Sequence, residues 1–226
     1  MEKALTPISV RELFLWAAVL MCVLASAAPL RAQDTASAKA TDPDKAGVLV
    51  AKSLALLEQG ESLSNDKDRR VAYTEGAVLA REAIELDKSN ADAHFALFGN
   101  EGRLMLIDGV AVNPFNLIKI NSSLDRCLEL NPDHSDALAA RGGMYRQLPT
   151  LLGGDLRKAE QDLKRSIELD PEATGARIEL ARTYHDMGEE EKVEPLLKEA
   201  LQWAEKLHKE RRVREAKQAM TEMCPK

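Results

Sequence analysis

Apolar and small residues recur every three or four positions through most of the chain, with charged residues between them. The stripes of two such segments consist of Ala159, Leu163, Ser166 and Ile167, and of Val193, Leu197, Ala200 and Leu201. A period near 3.6 residues predicts amphipathic α-helices that bury one face. Alternation with period two never persists long enough to predict a β-strand. The pattern therefore predicts an all-helical protein.

A short phrase recurs where the predicted helices end. Residues 165–171 read RSIELDP, residues 126–132 read RCLELNP and residues 81–88 read REAIELDK. Proline disfavours the helical conformation of the residue before it, so Asp170-Pro171 predicts a helix end and the start of a turn. The phrase thus predicts the close of the second helix in a repeated helical pair.

One small residue in each copy sets the register of the repeat, and residues 196–204, LLKEALQWA, add a fourth copy. These residues are Ala83, Cys127, Ser166 and Ala200, at spacings of 44, 39 and 34 residues. A small residue within an apolar stripe allows a second helix to approach closely. The first two intervals exceed the last by ten and five residues, which predicts extra chain in two of the units.

The first helices of the last two units align without gaps. Segments 136–148 and 175–188 place Gly142 opposite Ala181 and Tyr145 opposite Tyr184. A small residue, a Tyr three positions later, a Gly in the turn and a closing Asp-Pro resemble the tetratricopeptide repeat, whose unit has 34 residues. The resemblance implies an all-α superhelix of about four helix pairs with a C-terminal capping helix.

The repeats are predicted to span residues 46–205. Their approximate bounds are 46–87, 90–132, 136–171 and 175–205, followed by a capping helix and tail at 206–226. In the first unit, a polar loop at 64–70 separates predicted helices at 46–63 and 71–86. After Ala200 one charged helix is predicted to run on, because a terminal repeat needs a polar outer face.

Residues 1–32 have the pattern of a secretory signal peptide. Lys3 and Arg11 precede an apolar run from Leu13 to Ala28, which is too short and wrongly flanked for a bilayer span. Residues 33–45 are small, polar and aperiodic, which predicts a disordered linker. We therefore expect a periplasmic or secreted protein with no stable membrane insertion after signal cleavage.

Signal cleavage would leave a mildly acidic protein. Both Ala25-Ser26-Ala27 and Leu30-Arg31-Ala32 are candidate cleavage sequences. A cut after Ala32 removes three basic and two acidic residues, which changes the formal net charge from −6 to −7. Since nucleic-acid binding depends on basic residues that neutralise phosphates, this balance argues against a nucleic-acid partner.

The chain carries no pattern of catalytic or metal-ligating residues. The four histidines, at 94, 134, 185 and 208, lack metal-ligand spacing. The glycine pair at 153–154 is typical of a turn rather than of a phosphate-binding loop. Cys127 and Cys224 are either a buried small residue and a tail thiol or partners in a disulfide or intermolecular bridge. We expect no enzymatic activity, no cofactor and no metal site.

Candidate binding residues come from the first helices, which line the concave side of such an array. Aligned on the repeat pattern, they are Phe95, Arg103, Arg146, Gln147, Arg182 and His185. The three arginines could form a basic stripe that holds an acidic peptide through bidentate hydrogen bonds, or they could be ordinary surface arginines. Peptide-clamping domains of this kind carry Lys and Asn at the groove positions that Phe95, Gly99, Ala139 and Gly143 occupy here. The pattern thus predicts a protein or peptide partner, but not a chaperone-adaptor carboxylate clamp.

Two extra segments, 107–117 and 148–154, lie between the helices of their pairs and are predicted to project from the same edge. Both are apolar for loops, with Val112, Phe115, Leu151 and Leu152 among their residues. They either extend the helices and pack together as a local core, or they form the mouth of an apolar pocket or a protein-contact patch.

A narrower resemblance covers residues 145–169, which read YRQLPTLLGGDLRKAEQDLKRSIEL. The Leu-Leu-Gly-Gly-Asp turn and the Lys-Ala helix after it resemble the tetratricopeptide-type T component of tripartite periplasmic transporters. That resemblance implies a periplasmic accessory protein that delivers a small apolar ligand to a binding protein. Two functions therefore stay open: an exported scaffold for protein–protein interaction, and a ligand-handling transport accessory.

Overall fold

The computed structural model describes residues 42–109 and 114–224, and for residues 114–119 it describes the backbone alone. The α-helices in these ranges are α1 Pro43–Ser62, α2 Asp66–Leu86, α3 Ala91–Asp108, α4 Pro114–Leu130, α5 Ser135–Gln147, α6 Leu156–Leu169, α7 Thr174–Asp186, α8 Val193–Lys206 and α9 Glu210–Met223. Short 3-10 turns at Thr150–Leu152 and Glu190–Lys192 precede α6 and α8. The described ranges contain no β-strand, so the all-α prediction is confirmed.

The helices form four consecutive pairs and a final single helix. Each helix packs against the next one along the chain, and α1 also contacts α3, α5 contacts α7, and α7 contacts α9. Neighbour-to-neighbour contact of this kind defines an α-α solenoid, as the repeat pattern predicts. The first helices of the pairs, together with α9, therefore lie on one side of the array.

The unequal repeat spacings have two different structural causes. Helices α1 to α4 have 20, 21, 18 and 17 residues, whereas α5 to α8 have 13, 14, 13 and 14. The longer helices α3 and α4 account for most of the extra chain between Ala83 and Cys127. The extra residues between Cys127 and Ser166 lie instead in the turn at 148–155.

The recurring phrase closes the second helices of the first three pairs with the same turn. The backbone N–H groups of Asp87, Asn131 and Asp170 donate to the carbonyl oxygens of Ala83, Cys127 and Ser166, at 2.8, 2.8 and 2.9 Å. Their side chains accept from the backbone N–H groups of Ser89, Asp133 and Glu172, at 2.9, 3.2 and 2.9 Å. Asp and Asn favour this turn because their short side chains reach the backbone two residues on.

Close packing explains the small residue in each copy. Ala83, Cys127, Ser166 and Ala200 are all 0% exposed. On the facing first helix, a Cβ placed on Gly142 would lie 2.7 Å from Cγ of Leu163. Larger side chains at these positions would push the paired helices apart. The register predicted from the sequence therefore matches the helix contacts.

The hydrophobic core is a row of local clusters. The largest one joins the last two pairs to α9 and includes Leu163, Ile178, Val193, Leu197 and Ala219. Another cluster joins α3, α4 and α5, and two smaller ones hold α1, α2 and α3 together. Each cluster extends over neighbouring helices, as expected of a solenoid.

The N-terminal pair differs from its predicted bounds. Pro43 to Lys45 are helical and not part of a linker, because Asp42 caps α1 by accepting from the Lys45 N–H at 3.1 Å. Helix α2 begins at Asp66 and takes in most of the predicted polar loop, since Asn65 accepts from the Asp68 N–H at 2.9 Å. The predicted signal peptide and the rest of the predicted linker lie outside the described residues.

The charged C-terminal segment is two helices and not one. Helix α8 ends at Lys206, and the break contains His208, which has a φ of 53°. The Lys209 N–H donates to the Ala204 carbonyl at 2.9 Å and closes the turn. Helix α9 can then fold back onto α7 and α8 and bury Ala216 and Ala219.

A carboxylate on α6 ties the last two pairs together. Glu160 accepts from Lys164 at 2.8 Å, from the Tyr184 hydroxyl at 3.0 Å and from Arg157 at 3.1 Å. The hydrogen bond from Lys164, followed by those from Tyr184 and Arg157, lowers the pKa of Glu160 from its ordinary 4.5 to about 2. The charged form of Glu160 is therefore more favourable in the folded protein than in the unfolded chain.

The Glu160→Gln variant is expected to lose stability at neutral pH but to be less sensitive to acid. Because folding depresses the pKa of Glu160, its contribution is present above pH 4.5 and is lost as the pH falls towards 2. We expect a loss of about 1–3 kcal/mol in unfolding free energy at pH 7, shrinking below pH 4. Urea unfolding at several pH values measures this.

A matched control for that change is Glu168→Gln on the same helix. Its side chain is 64% exposed and contacts Arg165. This variant should follow the wild-type pH profile. Parallel profiles for Glu160→Gln and the wild type would contradict the assignment.

Candidate functional site

The helices α1, α3, α5, α7 and α9 present what we call the inner surface. In stacked helix pairs, this side is concave and is used for binding. Charged side chains join the helices along it. They form two groups, one between α5 and α7 and the other between α1, α3 and α9.

The first group, the Glu179 cluster, consists of Arg146, Glu179, Arg182 and Asp186. Arg146 donates from Nε to Glu179 and from Nη1 to Asp186, both at 3.1 Å. Arg182 donates to the other oxygen of Glu179 at 2.6 Å. Glu179 thus holds one arginine from α5 and one from α7. Two positive and two negative charges leave the cluster neutral.

The buried Gly143 packs against the Glu179 cluster. A Cβ placed there would be in van der Waals contact, 3.8 Å from Oε2 of Glu179 and 3.9 Å from Nε2 of Gln147. Gln147 is exposed on the same face. An incoming chain that reaches Gln147 would therefore meet amide, guanidinium and carboxylate groups close together.

The second group, the end cluster, consists of Glu61, Arg103, Arg211, Arg212 and Glu215. Glu61 binds Arg103 through one oxygen, and through the other it binds Arg211 at 2.5 Å. Glu215 binds Arg211 at 3.1 Å and Arg212 at 2.7 Å. Burial lowers the pKa of Arg211, and Arg212 adds to this effect. The cluster carries one more positive charge than negative.

The predicted binding residues are divided between several places. Arg146 and Arg182 meet at Glu179, whereas Arg103 belongs to the end cluster. Phe95 is half-buried between pairs, and its ring centre lies 4.8 Å from that of His134. His185 is exposed and contacts Glu190 at 2.9 Å. The three arginines do not form a bare basic stripe, because each one is paired with a carboxylate.

The turn at 148–154 carries exposed apolar side chains. Leu151 and Leu152 are 95% and 63% exposed. Hydrogen bonds order the turn, including those from the Gly154 N–H to the Pro149 carbonyl at 3.0 Å and from the Asp155 N–H to the Tyr145 carbonyl at 2.9 Å. The predicted partners in the other insertion, Val112 and the side chain of Phe115, lie outside the described residues.

A cavity of about 160 Å³ lies beside this turn, between α4 and α5. Its lining is Asn121, Leu124, Asp125, Arg141, Met144, Tyr145, Leu148, Leu152 and Gly153. The side-chain oxygen of Asn121 is buried and accepts no hydrogen bond from the described residues. Of the predicted insertion residues, Leu152 lines this cavity, which it shares with the charged Asp125 and Arg141.

The thiols and metal-binding groups offer little chemistry in the described part of the chain. Cys127 and Cys224 are both free thiols. Burial, reinforced by Asp92 and Asp136, raises the pKa of Cys127 to about 12, so the thiol is unreactive near neutral pH. Within the described ranges, no three His, Cys, Asp or Glu side chains are grouped so that they could hold a metal ion.

Comparison with known families agrees with the helix pairing. Residues 151–220 match the tetratricopeptide repeat family. This match covers α6, the last helix pair and most of α9. Residues 151–220 are thus similar to tetratricopeptide repeats, and the described helices have the fold of a tetratricopeptide-repeat solenoid.

Solved structures of tetratricopeptide-repeat (TPR) proteins have the same fold. TTC0263, a thermophilic TPR protein of Thermus thermophilus, is 21% identical, with a TM-score of 0.58 over 80% of this chain and 84% of that one. PilF of Pseudomonas aeruginosa is 20% identical, with a TM-score of 0.50 over 79% and 74%. At this identity the likeness establishes the fold. No curated protein matches the sequence.

Two features of this TPR array could not be found by reading its repeats. Glu61 and Asp186 neutralise predicted arginines from helices distant in the sequence, and no local pattern marks them. Arg211 belongs to the capping segment, where basic residues suggest only a solvated surface.

Among the described helices, none is long and apolar enough to serve as a bilayer span.

Proposed function

We propose that the chain is an exported scaffold that binds another protein through its inner surface, with the Glu179 cluster at the centre of the contact. The observation that carries the proposal is the bridging of α5 and α7 by Arg146, Glu179 and Arg182 beside the exposed Gln147. A TPR fold supports a protein or peptide partner, since such arrays use their concave surface for binding.

The cluster favours a partner segment that carries carboxylates. A guanidinium has five N–H donors, and Arg182 donates one of them to Glu179. The remaining donors suit a carboxylate from outside, and bidentate geometry would make that contact selective. Glu179 and Asp186 meanwhile hold Arg146 in position before the partner arrives, which reduces the ordering cost of binding.

The direct test is binding by an Arg146→Gln/Arg182→Gln variant. We expect the exported wild-type protein to capture a partner from its own cells, and the variant to bind that isolated partner at least about tenfold more weakly by calorimetry. The matched control is Arg165→Gln. Arg165 also binds two carboxylates, those of Asp133 and Glu168, but it lies on α6, the second helix of its pair. Equal affinity for all three proteins would refute the role of the cluster.

The proposed export has its own test. If residues 1–32 are a signal peptide, the protein recovered from its own cells should begin near Gln33 and be found outside the cytoplasm. An N-terminus at Met1 in the accumulated protein would contradict it. The expected absence of enzymatic activity and of a cofactor stays a prediction.

A second candidate function is handling of a small ligand, which the cavity between α4 and α5 favours. Its volume of about 160 Å³ is close to that of an engineered cavity known to bind benzene. The buried oxygen of Asn121 would suit a ligand that donates a hydrogen bond. This function would make the chain a transport accessory rather than a scaffold.

Thermal unfolding with simple probes tests the second candidate. Phenol fits the space and can donate to Asn121, so it should raise the unfolding temperature more than benzene does. Equal or absent shifts would remove the support for a ligand at this cavity.

A further inference from the structure

The first and last described helices of the array touch each other. Glu61 lies at the end of α1, and Arg211 lies in the first turn of α9. Their side chains are 2.5 Å apart, although 150 positions separate them in the sequence. The side chains are 16% and 32% exposed, so the contact is partly shielded from water.

This contact is electrostatic rather than apolar. Among the described residues, the hydrophobic clusters that include α1 stop at α3, and the cluster that includes α9 begins at α5. The ends of the array are therefore joined through the end cluster, without a shared core. A connection of this kind weakens with salt and with competing charges, whereas a packed apolar contact does not.

We propose that Glu61 and Arg211 form an electrostatic latch that closes the inner surface, and that an acidic partner segment opens it. The opening of the latch by a partner segment rests on the proposed scaffold function. The cluster contains three guanidinium groups, from Arg103, Arg211 and Arg212, but two carboxylates, from Glu61 and Glu215. A carboxylate from a partner can take the place of Glu61 on Arg211, which releases α9 from α1.

The distance between the two helices reports the state of the latch. Fluorophores attached through Gln59→Cys and Gln218→Cys would lie on exposed positions of α1 and α9. Cys22 and Cys224 are replaced by Ser in this background. Cys127 stays unlabelled, because it is fully buried.

The Arg211→Gln variant should shift the fluorophores to a longer distance at low salt. The wild type should move towards that same distance as salt is added, while the variant changes little. Arg103→Gln keeps the contact between Glu61 and Arg211 and should stay closed. The matched control is Asp133→Asn, which removes a different ion pair, the one between Asp133 and Arg165 of α6. This variant should also stay closed.

Hexaglutamate is the probe for opening by an acidic segment. It should lengthen the distance in the wild type at concentrations where hexaglutamine does not. An unchanged distance in Arg211→Gln would overturn the latch, and no response to hexaglutamate would overturn its opening by acidic segments. The distance is measured without the natural partner, so failure of the proposed scaffold function would leave this result standing.

Discussion

Replacing Leu163 by Ala should lower the free energy of unfolding by about 2–5 kcal/mol. Leu163 is 0% exposed and lies in the largest core cluster, where α6 packs against α5. Removing its side chain leaves a cavity next to Gly142, whose missing Cβ would lie 2.7 Å from Cγ of Leu163. Urea unfolding followed by circular dichroism measures the loss.

Because Gly142 and Leu163 are in close contact, a double variant tests whether the effects of the two substitutions depend on each other. Gly142→Ala alone should destabilise by about 1–3 kcal/mol, because its methyl group meets Leu163 and lies 3.2 Å from the Ala159 carbonyl. In the double variant the new methyl group fills part of the cavity, so the loss should be smaller than the sum by about 0.5–3 kcal/mol. Additive losses would contradict the account of the small residue in the first helix.

Gly102→Ala provides the control for helix propensity. A Cβ at this position in α3 meets nothing within 4 Å. The substitution should therefore be neutral or should stabilise by up to about 1 kcal/mol, since Ala favours helix over Gly.

Gly154→Ala should lower the free energy of unfolding by about 2–4 kcal/mol. A Cβ at Gly154 would lie 1.8 Å from the Leu148 carbonyl oxygen and 2.6 Å from its carbon, and backbone atoms cannot rotate away as a side chain can. The turn must then open, which breaks the hydrogen bond from the Gly154 N–H to Pro149. Urea unfolding measures the loss, and faster exchange of the amides at 152–155 locates it.

A substitution at the neighbouring Gly153 tests whether steric crowding or backbone conformation causes the loss of stability. Gly153 has a φ of 94° but open space around its Cβ position. Because Asn tolerates positive φ better than other side chains do, Gly153→Asn should cost less than about 1 kcal/mol. Similar losses for Gly153→Asn and Gly154→Ala would mean that the contact with Leu148 does not limit the turn.

The local structure of the repeat was predictable because it depends on short-range rules. An apolar stripe of period 3.6, a small residue within the stripe and an Asp or Asn after the second helix of a pair are all visible in one stretch of sequence. Ser166 and Asp170 show this directly: the first is fully buried, and the second closes the turn. The all-α superhelix followed from repeating these local features.

The lengths of the elements were less predictable. The ten extra residues between Ala83 and Cys127 are mostly helical, although their apolar character is equally compatible with a loop. The break at His208 was also missed, because charged residues continue through it and no Gly or Pro marks it. In both places, packing against neighbouring helices decides the conformation.

The charge pairs of the inner surface depend on the path of the whole array. Arg146 reaches Glu179 and Asp186, 33 and 40 positions away, and Arg211 reaches Glu61 across 150 positions. Which carboxylate meets which arginine is determined by how successive pairs stack, which no local pattern records. The sequence therefore predicted the arginines as candidates but not their neutralisation.

Site-specific photo-cross-linking in the protein's own cells tests the central claim, that the inner surface binds the partner. A photoreactive amino acid is placed at Gln147, beside the Glu179 cluster. In a matched protein it is placed at Gln161, which is also an exposed Gln but lies on α6, the second helix of its pair. We predict a discrete cross-linked product of one partner protein from position 147, and its absence from position 161. Cross-linking from position 161 alone, or equally from both, would contradict the account.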